Sequence, residues 1–315
     1  MTFGDVDTRV RVGSVELAHA VMTASGTSGH GAELGHYFAL SELGAVVVKS
    51  LSVMPWAGNP SPRLHPLPHG MINAVGLQGP GVSAWFDEHL HQLARHGART
   101  VISLWGRSVD EFRRAAEIVA SRLAASDADH VVSVEVNLSC PNLEGRRGIF
   151  AHDAALSAEV VDACLSVGRP LWAKLSPNTD RLVEVASAVH VAGAEAVTLV
   201  NTVVGLVLDD AGDPVLGNGG GGLSGPMIHP VAVRAVSDVR EGCPDLPIIG
   251  VGGVFSGATA AALMRAGAAA VQVGTASFAD PRAPKMVADD LEKWAREQGF
   301  SRLSDITGAR QRVTS

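Results

Sequence analysis

Eight short apolar runs recur along the chain: Val21–Ala24, Val46–Lys49, Thr100–Leu104, Val132–Asn137, Leu171–Leu175, Ala196–Val200, Ile248–Val251 and Ala270–Val273. Most are too continuous for a strand with one wet face and suit a parallel sheet buried on both sides. Helical stripes lie between them. Phe112, Ala116, Val119 and Leu123 fall on one face, as do Val183, Ala186 and Val189-His190, and Ala260, Leu263 and Met264. Ahead of the first run, residues 9–17 alternate about Gly13-Ser14 and predict a small hairpin.

A local repeat gives these units their order. Leu43-Gly44-Ala45, His96-Gly97-Ala98, Ala192-Gly193-Ala194 and Ala266-Gly267-Ala268 each end a helical pattern just before a strand. Glycine there supplies a left-handed helix cap. Eight strands alternating with helices predict a (β/α)8 barrel with a short N-terminal hairpin, occupying residues 1–315 as one domain. The competing fold is a doubly wound open sheet. It would place G-x-G-x-x-G after the first strand, where this chain reads Ala24-Ser25-Gly26-Thr27-Ser28-Gly29.

Two long Pro- and Gly-rich segments, 54–81 and 203–226, leave the second and sixth strands. They emerge at C-terminal strand ends, where barrels place their active sites.

Composition narrows the function classes. A hydrophobic share of 46% with 18% charged residues describes a soluble, well-cored protein. A net charge of −7 argues against nucleic acid or an anionic membrane as the main partner. No apolar run reaches the roughly 18 residues of a bilayer span, and the polar start Met1 to Thr8 is no signal peptide. The three cysteines, Cys140, Cys164 and Cys243, form no C-x-x-C pair, which argues against disulfides or a metal cluster and favours a cytoplasmic location. Only four of the 25 basic residues are lysines, and Lys49 and Lys174 end strands. A lysine within a buried strand needs an anion, from a ligand or from an acid such as Glu135.

Polar residues gather at the strand ends. Ser25, Ser50, Ser103 and Asn137 close the first four strands, and Asn201-Thr202 follow the sixth. Gly252-Gly253 and Gly274-Thr275 follow the seventh and eighth, where barrels cradle phosphate on bare backbone N–H groups. Gly220 to Gly225 could extend that cradle; the plain alternative is that these glycines only make tight turns. Asn73, Asn137, Asn142 and Asn201 suit a small ring of alternating N–H and C=O groups. Cys140, between two asparagines, is a candidate base or nucleophile, since a thiol with pKa about 8.5 needs little tuning to accept a proton. Cys164 and Cys243 read as small apolar residues.

Asn-Leu-Ser-Cys-Pro-Asn (137–142), Ala-Lys-Leu-Ser-Pro-Asn (173–178), Val-Asn-Thr (200–202), Gly-Gly-Leu-Ser-Gly-Pro (221–226), Gly-Val-Gly-Gly-Val (250–254) and Val-Gly-Thr-Ala (273–276) occur in the order of the dihydroorotate dehydrogenase family, which the chain resembles over nearly its whole length. It is most similar to the class 1 enzymes. Asn73-Ala74-Val75-Gly76-Leu77-Gln78 resembles their NAD-linked branch.

The resemblance implies an FMN enzyme oxidising dihydroorotate to orotate in pyrimidine synthesis, with Cys140 as base and Lys174 supporting the reduced flavin. Ser25, Lys49, Ser50, Ser103, Asn137, Lys174, Val200, Gly225, Gly252, Gly253, Gly274 and Thr275 would hold FMN. Lys49, Asn73, Ala74, Val75, Gly76, Leu77, Asn137, Asn142, Asn201 and Thr202 would hold substrate, under a lid from Leu143 to Phe150. A homodimer and an FAD and iron–sulfur partner subunit are the implied assemblies. One position departs: those relatives supply an asparagine to the flavin where this chain has Ser103. A shorter side chain there calls for a water or a shifted ring, and keeps open a paralogue acting on another dihydropyrimidine or enoate. A third possibility is a chain acting only as a binding subunit, which would take up no FMN.

Overall fold

The computed structural model describes residues 5–139, 141–142 and 148–309. Eight parallel strands form the barrel: β1 Val21–Thr23, β2 Val46–Val47, β3 Thr100–Leu104, β4 Val131–Asn137, β5 Leu171–Lys174, β6 Ala196–Leu199, β7 Ile248–Val251 and β8 Ala270–Val273. From β2 to β8 each strand pairs with the next in sequence, and β8 pairs with β1. Between β1 and β2 the ring closes through loop and side-chain bonds. Gly44 N–H donates to Val21 O at 2.8 Å, Thr23 N–H to Ala45 O at 3.2 Å, and Val47 N–H to Thr23 Oγ1 at 2.9 Å. The expected barrel is therefore the observed one, with several strands a residue or two shorter than the apolar runs.

Amphipathic helices cover the outside. The helix Val109–Ala124 buries Phe112, Ala115, Ala116, Val119 and Leu123, and Ser108 caps it by accepting from Glu111 N–H. In the helix Leu182–Val191 the buried stripe is Leu182, Val185, Ala186 and Val189; Val183 is half-buried and His190 exposed, so the expected face is turned by one residue. Gly97, Gly193 and Gly267 adopt the positive φ expected of them. Gly44 follows only the short 3-10 turn Leu40–Glu42 and has no positive φ. Glycine is required there because a Cβ would collide with the His19 carbonyl.

The leading hairpin pairs Val10 with Leu17 and Val12 with Val15, burying one face. Ser14 N–H donates to Glu195 at 2.8 Å, just before β6, which fastens the hairpin to the end of the barrel opposite the mouth. At the mouth the two long segments meet. Leu64–Leu67 and Gly70–Asn73 from the first, and Val203–Gly205 and Gly221–Ser224 from the second, form one antiparallel four-stranded sheet. Gly221–Ser224 is thus a roof strand, where the sequence reading offered a phosphate loop. A Cβ on Gly222 would collide with the Thr202 side chain, so only glycine admits that contact.

Candidate active site

Under this roof the C-terminal strand ends enclose a cavity of about 400 Å³, within the range of small-ligand sites. Strand register explains its floor. Lys174 on β5 lies beside Asn137 on β4 and Thr198 on β6. Neighbours in register share a face of the sheet, and both Asn137 and Lys174 reach the cavity. One layer below, Glu135 is fully buried; its Oε2 accepts from Thr198 Oγ1 at 2.9 Å and Gln272 Nε2 at 3.0 Å. Glu135 therefore does not pair with Lys174. The Lys174 ammonium, 5% exposed, has no carboxylate in ion-pair range among the described residues.

Lys49, two residues past β2, also lines the cavity. Burial and then the nearby Arg63 guanidinium push its pKa below the usual lysine value. Behind it, burial, Lys49 and His89 together hold His30 down to about 4. Two lysines in one cavity with no carboxylate in ion-pair range among the described residues describe a site for an anionic ligand.

The other expected residues gather on the same walls. Ser25 and Ser50 lie at one side, and Val200, Asn201 and Thr202 follow β6. Gly225, Gly252, Gly253, Gly274 and Thr275 form a bare-backbone corner. The N–H groups of Gly253, Gly274 and Thr275 find no acceptor among the described residues. Asn73 to Leu77 enter from the roof. Leu77 there holds φ +60, a left-handed backbone that costs a non-glycine residue about 1 kcal/mol. Trp56 and Asn59 maintain it: Trp56 Nε1 donates to Gly76 O at 2.9 Å and Asn59 Nδ2 to Ala74 O at 3.0 Å.

Of the four asparagines, Asn73 donates through Nδ2 to Gly222 O at 3.3 Å, and Asn201 Oδ1 accepts from Thr202 N–H at 2.9 Å. Each retains one amide atom for a ligand. Asn142 contributes a backbone pairing with Gly148, and Pro141 pairs with Ile149. Cys140 and residues 143–147 lie outside the described residues. Cys164 is fully buried, and burial pushes its thiol up to about 12. Ser103 does not line the cavity; its hydroxyl bonds Ser50 Oγ at 2.8 Å.

Asn178 was not anticipated as a site residue. Its Nδ2 donates to Ser176 Oγ and to Thr202 O, both at 2.9 Å, and its Oδ1 accepts from Val204 N–H at 2.9 Å. It ties the end of β5 to the loop after β6. The signal was present, since Asn178 closes the Ser-Pro-Asn that follows Lys174. Asn59 had a weaker one, a single amide in a long loop.

Residues 8–294 match the family described as Dihydroorotate dehydrogenase. The chain is 43% identical over 305 residues to a protein of Pelobacter propionicus named dihydroorotate dehydrogenase B (NAD(+)), catalytic subunit, covering 96% of this chain and 98% of that one. A protein of the same name from Trichlorobacter lovleyi is 43% identical over 302 residues, 95% and 97% of the two chains. Another from Desulforudis audaxviator is 43% identical over 310 residues, 98% and 99%. With a family match and relatives of this identity spanning nearly its whole length, the chain belongs to the dihydroorotate dehydrogenase family.

Proposed function

We propose that the cavity holds FMN together with dihydroorotate, and that the chain oxidises dihydroorotate to orotate in pyrimidine synthesis. The observation carrying this reading is the meeting, in one barrel mouth, of two lysines with no carboxylate in ion-pair range and a corner of unengaged backbone N–H groups, both among the described residues.

The residues fit FMN. A Cβ on Gly252 would press on Ala232, and one on Gly253 on His229, so close backbone approach is built into the corner. Gly225, Gly252, Gly253, Gly274 and Thr275 hold the phosphate end. Ser25, Lys49, Ser50, Asn137, Lys174 and Val200 hold the ring. Bound FMN supplies the hydride acceptor. Lys174 offsets negative charge that develops on the ring side of the cavity. Cys140, assigned from its place in Asn-Leu-Ser-Cys-Pro-Asn, accepts the proton leaving the neighbouring carbon. Lys49 orients the substrate carboxylate, while Asn73, Asn137, Asn142, Asn201 and Thr202 and the backbone of Ala74 to Leu77 grip its amide edge. The roof sheet excludes water.

The relatives' name, catalytic subunit, supports a partner chain, for which an FAD and iron–sulfur protein is the proposed electron carrier. A homodimer is proposed on the family resemblance. A second reading, another dihydropyrimidine or enoate as substrate, is favoured by Ser103 standing outside the cavity.

The test is a substrate screen on FMN-loaded protein without oxygen. Dihydroorotate bleaches the visible flavin band and dihydrouracil does not, and simple enoates do not restore the band of protein reduced beforehand. Bleaching by dihydrouracil alone, or recolouring by an enoate in a protein that dihydroorotate does not bleach, would establish the second reading. A protein that takes up no FMN would defeat both.

A further inference from the structure

We infer that Ser103, Ser50 and Ser25 form a hydroxyl relay of fixed direction, ending in a hydrogen-bond donor that faces the cavity, so that Ser103 is a positioning residue acting on the ligand through Ser50. The inference rests on FMN being the group that occupies the cavity.

The relay is linear. Ser103 Oγ lies 2.8 Å from Ser50 Oγ, and Ser50 Oγ lies 3.1 Å from Ser25 Oγ. A third neighbour enters at Ser50, where Asn137 Nδ2 approaches at 3.3 Å. The orientation of that amide is set independently, because Ser139 N–H donates to Asn137 Oδ1 at 3.2 Å. The atom turned to Ser50 is therefore the NH2, which can only donate.

Counting hydrogens then settles the direction. A hydroxyl donates once and accepts twice. Asn137 fills one acceptor position on Ser50, so one flanking serine must donate to Ser50 and the other must accept from it. Ser103 is fully buried, and among the described residues its hydroxyl has Ser50 as its partner. Its hydrogen goes to Ser50, since the reverse direction strands a buried donor. Ser50, 2% exposed, passes its own hydrogen to Ser25. Ser25 is half-buried and lines the cavity, and its hydrogen is left for the ligand. This wall therefore selects a ligand edge that accepts, such as a carbonyl or an unprotonated ring nitrogen of an oxidised flavin. The family's asparagine could address the ring directly. Here Ser103, which does not reach the cavity, sets the polarity of the two serines that do.

The test is FMN affinity, read by quenching of flavin fluorescence on titration with cofactor-free protein, alongside the thermal midpoint of each cofactor-free variant. Loss of one neutral hydrogen bond predicts FMN binding about tenfold weaker in Ser25→Ala and in Ser50→Ala, and about fivefold weaker in Ser103→Ala. The double variant Ser50→Ala/Ser103→Ala binds no more weakly than Ser50→Ala alone, because Ser103 acts only through Ser50. Ser103→Cys keeps the side-chain shape with a slightly larger atom but is a poor donor; it repeats the loss if Ser103→Ala does not fold. The relay is overturned if the Ser50 and Ser103 losses multiply, if Ser25→Ala binds FMN like the wild type, or if Ser103→Cys is silent. A wild-type protein that binds no FMN would overturn the cofactor assignment and the relay's ligand with it.

Discussion

Replacing Lys174 with methionine should move stability and binding in opposite directions. The side chain is 5% exposed, at the end of β5, and meets no carboxylate among the described residues. Without a ligand the buried ammonium has no carboxylate in ion-pair range among the described residues. Methionine matches its length without the charge and should recover about 1–3 kcal/mol in the cofactor-free protein. That is a rise of a few degrees in thermal midpoint, at about 2–4 °C per kcal/mol for a domain of 150–250 residues and less for a longer chain. Binding responds the other way. A unit charge about 4 Å from an ammonium gains about 4 kcal/mol at an effective dielectric near 20. Affinity for reduced, anionic FMN should therefore fall by up to about a thousandfold, and affinity for oxidised FMN by much less. Scanning calorimetry of the cofactor-free protein and FMN titrations in each redox state read both halves. A Lys174→Met protein that melts lower than the wild type, with an unchanged preference between the redox forms, would show a structural lysine and refute the reasoning.

Three further outcomes follow from the same site. His30, held down to about 4, is neutral in the folded protein at pH values where the unfolded chain already binds a proton. Its contribution is intact above about pH 6.5 and is lost as the pH falls toward about 4; urea midpoints across that window should decline less in His30→Gln, and equal slopes would remove His30 as the cause. Lys49 titrates below the usual lysine value, so substrate-carboxylate binding should weaken as the pH is raised, and Lys49→Arg should flatten that profile; a wild-type profile that does not weaken would contradict the role given to Lys49. Asn178→Asp replaces two donors with an oxygen facing the Thr202 carbonyl; orotate affinity, read from the flavin spectrum, should drop about tenfold or more with FMN content unchanged, and equal losses of both would mark Asn178 as merely structural.

The barrel was legible because each of its strands is buried on both faces, so its sequence is a plain apolar run. The strand ends were less so: Lys49 and Leu175 continue the pattern but fall beyond β2 and β5, and Lys49 already lines the mouth. The roof sheet was not legible. Leu64–Leu67 contains Pro66, and Gly221–Ser224 opens with two glycines, both poor strand formers in isolation. They are strands because segments more than a hundred residues apart pair across the mouth, as Asn73 does with Gly222. Site residues on strand ends were found because their polarity interrupts an apolar run. Asn59 and Asn178 were passed over because their work is to hold other loops, which requires knowing which loops are adjacent. Ser103 was recognised as a departure, but its contact with Ser50 depends on side chains from two strands meeting inside the barrel.

The measurement closest to the central claim is a single turnover of FMN-loaded protein mixed rapidly with dihydroorotate in the absence of oxygen, for the wild type and Cys140→Ser. The wild type should bleach within the mixing experiment. Cys140→Ser should retain its FMN and bleach about a hundredfold to ten-thousandfold more slowly at neutral pH, as loss of a positioned base requires. A Cys140→Ser protein that bleaches as fast as the wild type would contradict the assignment of the thiol as the proton acceptor.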